Sequence, residues 1–105
     1  MLIGEFQHNI DAKGRVIVPA RFREDLGETF YVAKGLDRCL FVFPPAEWAR
    51  LQARICAMPI SKARNLQRFF FSGAAELVPD RQGRVLIPQP LREYAGLVKD
   101  VTFIG

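Results

Sequence analysis

A fourteen-residue segment occurs twice in this chain of 105 residues. Asp11-Ala-Lys-Gly-Arg-Val-Ile-Val-Pro-Ala-Arg-Phe-Arg-Glu24 returns, at an offset of 69, as Asp80-Arg-Gln-Gly-Arg-Val-Leu-Ile-Pro-Gln-Pro-Leu-Arg-Glu93. Seven of the fourteen pairs are identical, and three more exchange similar apolar residues. With five Asp and eleven Arg in the chain, roughly half an Asp-x-x-x-Arg match is expected by chance, so one such match is weak. Two matches that share Gly before the Arg, Val after it and Pro four beyond it are not chance. An internal repeat constrains the architecture before any single element is assigned.

The first unit reads as hairpin, short helix, hairpin. Phe6, His8 and Ile10 alternate with Gln7 and Asn9, which is a strand pattern. Asp11-Ala-Lys-Gly14 reads as a turn, with Asp accepting backbone hydrogen bonds at its first position and Gly free to take positive φ at its last. Arg15-Val-Ile-Val18 is the returning strand. Pro19 starts a short helix, where a missing N–H costs nothing. Phe22 and Leu26 share its inner face, and Gly27 ends it. Thr29 to Ala33 is a third strand, residues 34–38 a second turn, and Cys39 to Phe43 a fourth strand.

The second unit starts near Ala75. Pro88 and Pro90 open its helix, Gly96 closes it, and Val101 to Ile104 is its third strand. Gly105 falls opposite Gly35, so by the internal template the second turn and fourth strand are missing. The expectation is a unit cut short, with an unpaired strand edge near Val101 to Ile104. The stretch between the units reads as two helices. Trp48, Leu51, Ile55 and Met58 line one face of the first, which Pro59 ends. Ser61 is placed to cap the second, with Ala63, Leu66 and Phe70 inward and Gly73 as its stop. The units are placed at residues 5–47 and 75–105, with the helical connector at residues 48–73.

A unit of about 40 residues with two hairpins cannot bury enough apolar surface to be stable alone. It must pair with another copy, and the duplication supplies one. The expected fold class is therefore α+β, mainly β: two units interlocked into one pseudo-symmetric β-barrel, joined by the helical connector. Half the residues are hydrophobic and a quarter are charged, which is too apolar for a disordered tail. No apolar run approaches the length of about 18 residues that spans a bilayer, and residues 1–10 do not read as a secretory signal. The expected setting is cytoplasmic.

Cys39 and Cys56 are too few for a disulfide framework, and both read as small buried hydrophobes. With His8 the only histidine, no zinc spacing is present and no metal site is expected. Nothing flanking either cysteine suggests an activated nucleophile. No paired carboxylates in a cleft and no phosphate loop are apparent, so neither an enzyme nor a cofactor is expected.

The paired Asp-x-x-x-Arg loops, Arg-Val-Ile-Val-Pro and Arg-Val-Leu-Ile-Pro, resemble the bacterial MraZ family. Each copy is similar to a SpoVT-AbrB-type unit, the swapped-hairpin module (ββαββ) of transition-state regulators and some antitoxins. The resemblance covers essentially the whole chain, including residues 1–6, the intervening Phe69-Phe70-Phe71-Ser-Gly-Ala-Ala75 and residues 99–105. It implies a DNA-binding transcriptional regulator of the division and cell wall gene cluster, including its own promoter. It further implies a nucleoid-associated homo-oligomer, a ring of many subunits, that binds spaced direct repeats in double-stranded DNA. A protein-interaction module of the same fold, antitoxin-like or a scaffold, is the competing reading.

The net charge of +4 equals that of residues 44–72, so the rest of the chain sums to zero. Charge alone therefore points to the connector, where Arg64 and Arg68 form the alternative basic patch. They read first as surface or subunit contacts. The repeat points instead to the loops. Asp11 with Arg15 and Asp80 with Arg84 read structurally as ion pairs that pin their loops, worth about 0.2–1 kcal/mol. Functionally, the resemblance favours Arg15 and Arg84 as DNA-binding residues, each oriented by its Asp. Lys13 and Arg81 are placed to reach phosphate. Gly14 and Gly83 are structural. Arg21 and Arg23 read as a solvated helix face, and Trp48 with Phe69 to Phe71 as core or interface.

Overall fold

The computed structural model describes residues 2–105. Its elements run β1 (Glu5–Asn9), β2 (Arg15–Ile17), α1 (Ala20–Leu26), β3 (Phe30–Lys34), β4 (Leu40–Phe43), α2 (Pro45–Cys56), α3 (Ile60–Phe70), β5 (Ala75–Leu77), β6 (Arg84–Leu86), α4 (Gln89–Ala95) and β7 (Asp100–Ile104). All four helices begin directly after a proline: Pro19, Pro44, Pro59 and Pro88. A proline there sets φ for the first turn and lacks the N–H that a helix start leaves unsatisfied. Ser61 therefore does not cap α3: the helix is already entered at Ile60, and Ser61 lies inside its first turn. Gly73 is not its stop either, since α3 ends at Phe70.

The strands pair across the repeat. β1 runs antiparallel to β7, with Phe6 opposite Phe103, and β5 pairs in the same way with β3. β2 pairs with β6, Val16 opposite Val85. β3 also pairs with β4, the one ladder formed inside a unit. The loop at residues 11–14 does turn the chain back. The strands it joins, however, enter different ladders, so the local hairpin read from the sequence is replaced by pairing with the other copy. Val16 and Val18 need cover on their inner face, and the other unit provides it.

The three ladders are β1–β7, β2–β6 and β4–β3–β5. Among the described residues they do not join into one closed sheet. The architecture is a mixed α+β fold with interleaved units.

One core serves both copies. Val16, Phe22 and Phe30 from the first pack with Val85, Ile87 and Leu91 from the second, each no more than 5% exposed. Each such side chain contributes on the order of 1.5–3 kcal/mol by leaving water. The connector docks through aromatic rings. Trp48 stacks on Tyr31, with centroids 5.2 Å apart and planes 9° apart, and meets Phe71 edge-on. Trp48 and the Phe69 to Phe71 run are thus packing residues. Met58, read as part of the inner face of α2, is exposed. On its second edge β7 has no strand neighbour among the described residues.

Candidate nucleic-acid interface

The two Asp-x-x-x-Arg loops fold identically. In the first, Asp11 Oδ1 accepts hydrogen bonds from the backbone N–H groups of Lys13 (2.9 Å) and Arg15 (2.8 Å), and Oδ2 accepts one from Arg15 Nε (3.0 Å). In the second, Asp80 Oδ1 accepts from the N–H groups of Gln82 and Arg84, both at 2.9 Å, and Oδ2 from Arg84 Nε at 2.9 Å. Gly14 and Gly83 close the turns by donating to the carbonyls of Asp11 and Asp80. Their φ values of +87° and +79° lie in the left-handed region that favours glycine.

The backbone N–H of Arg15 is the main cause of a lowered Asp11 pKa, with the Arg15 side chain and the Lys13 N–H adding to it. Asp80 is lowered in the same way, first by the N–H of Arg84. Both carboxylates are therefore charged at neutral pH. Each holds its arginine by Nε, which leaves the forked Nη pair for an external acceptor.

Antiparallel pairing of β2 with β6 sets the two loops at opposite ends of one short ribbon. Arg15 stands opposite Leu86 and Arg84 opposite Ile17. Residues facing one another across a ladder share a face, so Arg15, Ile17, Arg84 and Leu86 form one outward patch, while Val16 and Val85 point into the core. The arginines occupy one diagonal of this patch, a spacing of about 7–8 Å. The other diagonal is apolar, with Ile17 42% and Leu86 57% exposed. Lys13 and Arg81 are exposed on the flanking loops. Each loop thus carries two cations and one carboxylate, and the patch adds two apolar side chains between the loops.

Ile17 and Leu86 carry no charge and lie outside the Asp-x-x-x-Arg signature, so neither signal in the sequence points to them. Strict alternation from Arg15 and Arg84 places both on the arginine face. Several other expectations are corrected. Cys39 and Cys56 are exposed, not buried. Cys39 sits at the turn before β4, where its Sγ donates to the Leu36 carbonyl at 2.9 Å, and Cys56 ends α2 outside the apolar face. Arg23 is not on a solvated face: its guanidinium packs against Gly83, while Arg21 is exposed. Arg64 and Arg68 are exposed on α3 and belong to neither strand of the β2–β6 patch. Among the described residues no group of three or more His, Cys, Asp or Glu converges, and no helix is long and apolar enough to cross a membrane.

Comparison with known proteins shows what this sequence is similar to. The sequence model of the family described as "MraZ protein, putative antitoxin-like" matches residues 1–69 and 70–105. A protein named "Transcriptional regulator MraZ" from Desulforamulus reducens is 57% identical over 107 aligned positions, which cover 100% of this chain and 75% of that protein. Proteins of the same name from Acetivibrio thermocellus and Halothermothrix orenii are 57% and 52% identical over the same shares of each chain.

Proposed function

The chain belongs to the MraZ family, and on that premise we propose that it is a sequence-specific transcriptional regulator that binds double-stranded DNA through the outer face of β2 and β6. The observation that carries this reading is the patch in which Arg15 and Arg84 lie on one diagonal and Ile17 and Leu86 on the other. A two-stranded ribbon fits the major groove. There a guanidinium fork can engage the O6 and N7 of guanine, and an exposed aliphatic chain can meet a thymine methyl. Lys13 and Arg81 hold phosphate, which positions the ribbon without reading sequence. Asp11 and Asp80 would be repelled by DNA and serve as orienting groups.

The net charge of +4 is modest for a single DNA-binding chain. We read the functional form as a homo-oligomeric ring whose subunits each present one patch to a successive direct repeat, so that linked binding events reinforce one another. The targets are promoter repeats of the division and cell wall gene cluster, and the setting is cytoplasmic and nucleoid-associated, with neither catalysis nor a cofactor. The interleaved ladders fit two swapped-hairpin units, residues 5–47 and 75–105, wrapped as a pseudo-symmetric barrel with residues 48–73 as the connector.

A gel shift with intact and respaced direct repeats tests this reading, with assembly mass measured alongside. Affinity should fall steeply with added salt. Arg15→Ala and Arg84→Ala should each weaken binding by about 1–3 kcal/mol per lost base contact and leave the fold intact. Variants that bind repeat DNA as tightly as the parent would sink the loop assignment. Capture of a protein partner with no salt-dependent DNA binding would favour the interaction-module reading instead.

A further inference from the structure

The loops and ladders account for the repeated Asp, Gly, Val and Pro and for the first repeated Arg. They do not account for the second repeated Arg, Arg23 in one copy and Arg92 in the other. Arg23 lies on α1 and Arg92 on α4. A Cβ added to Gly14 would come within 2.5 Å of Arg92 Cζ, and one added to Gly83 within 2.5 Å of Arg23 Cζ. Each guanidinium therefore lies against the loop glycine of the opposite repeat, and both glycines are buried. The backbone crosses in the same sense. Ile87 N–H donates to the Gly14 carbonyl at 2.9 Å, and Val18 N–H to the Gly83 carbonyl at 3.0 Å. Arg23 Nε is buried without a hydrogen-bond partner among the described residues, so no bond through Nε holds it there.

We propose that Arg23 and Arg92 are positioning residues that act crosswise: Arg92 sets the loop that presents Lys13 and Arg15, and Arg23 sets the loop that presents Arg81 and Arg84. The proposal rests on the reading of these loops as the DNA-contacting surface. Its chemistry needs a flat cation. Arginine offers a planar face that can lie on a glycine backbone, whereas lysine is a compact point charge on a flexible stem. The glycines are required for the same reason, since any side chain would occupy the place of the guanidinium.

The test uses the 105-residue chain with Arg92→Ala, Arg92→Lys, Arg23→Ala and Arg23→Lys. Amide hydrogen exchange, read by mass spectrometry, is compared with affinity for direct-repeat DNA. Exchange should quicken over residues 11–15 in the Arg92 variants and over residues 80–84 in the Arg23 variants. DNA affinity should fall on the order of tenfold for each alanine change, and lysine should not restore it. Arg92→Lys combined with Arg15→Ala should weaken binding by less than the product of the single effects. Combined with Arg84→Ala, the two effects should multiply.

Faster exchange confined to the variant's own repeat, or spread evenly over both loops, would overturn the crosswise assignment, as would full rescue by lysine. Crossed exchange with unchanged DNA binding in these variants and in Arg15→Ala would support the crosswise clamp and overturn the DNA reading. Should an alanine variant fail to fold, the lysine variant keeps the stem and the charge and carries the test.

Discussion

Asp11 accepts three hydrogen bonds from two residues of its own loop, and Asp80 repeats the arrangement. Because these bonds favour the charged carboxylate, both folded pKa values lie below the ordinary one. The stabilisation is therefore present above the ordinary aspartate pKa and disappears as pH falls through the lowered values. An Asp11→Asn, Asp80→Asn variant should melt at a lower temperature than the parent at neutral pH. The gap should close as the solution is acidified through that window, and melting curves collected across pH check this. A gap that does not change with pH would mean that the carboxylate charge contributes nothing to the loops. At Gly14 the backbone conformation itself disfavours a side chain by about 1–2 kcal/mol, and Arg92 occupies the space a Cβ would need. Gly14→Ala should accordingly lower the Tm by at least roughly 4–8 °C. The aspartate and glycine roles were legible in the sequence, because turn chemistry is local. The role of Arg23 was not, since the glycine it covers is 60 residues away in the chain.

β3 and β7 are equivalent in the repeat, yet among the described residues β3 has strands on both edges and β7 on one. An apolar groove of about 500 Å³ lies beside β7, lined in part by Phe41 and Phe43 of β4 and by Val101 and Phe103. A strand edge with unpaired N–H and C=O groups next to apolar side chains is a template for pairing with another chain. The 105-residue chain should self-associate through this edge. Ile104→Lys, at a side chain already 75% exposed, should reduce the association and leave the circular dichroism unchanged, as checked by sedimentation velocity. An unaltered sedimentation profile would place the contact elsewhere. The helices follow from punctuation that is plain in the sequence, since a proline precedes each one and Gly27 and Gly96 follow the two short ones. The spacing of apolar residues along the connector matches the burial of Trp48, Ile55 and Ala63. It does not predict Met58 and Ser61, where the exact helix end decides exposure and capping.

At the scale of the molecule, three of the four strand pairings join one copy to the other, and the core draws on both. The β3–β4 ladder is the one pairing made inside a copy, and neither copy holds a complete core of its own. Peptides of residues 1–69 and 70–105 should each lack native circular dichroism, and mixing them should restore it. A native spectrum from either piece alone would contradict the interleaving. The intact chain should unfold in a single transition for the same reason. The duplication, the loop chemistry, the helix starts and the need for two copies to share a core are written in the order of residues, because they follow from local rules and from a count of apolar surface. Which strands pair, that Arg15 and Arg84 share a face with Ile17 and Leu86, and that an arginine of the opposite copy lies against each loop emerge with the folded chain. Strand pairing and side-chain packing depend on which distant segments meet, and the order of residues along a chain does not state that.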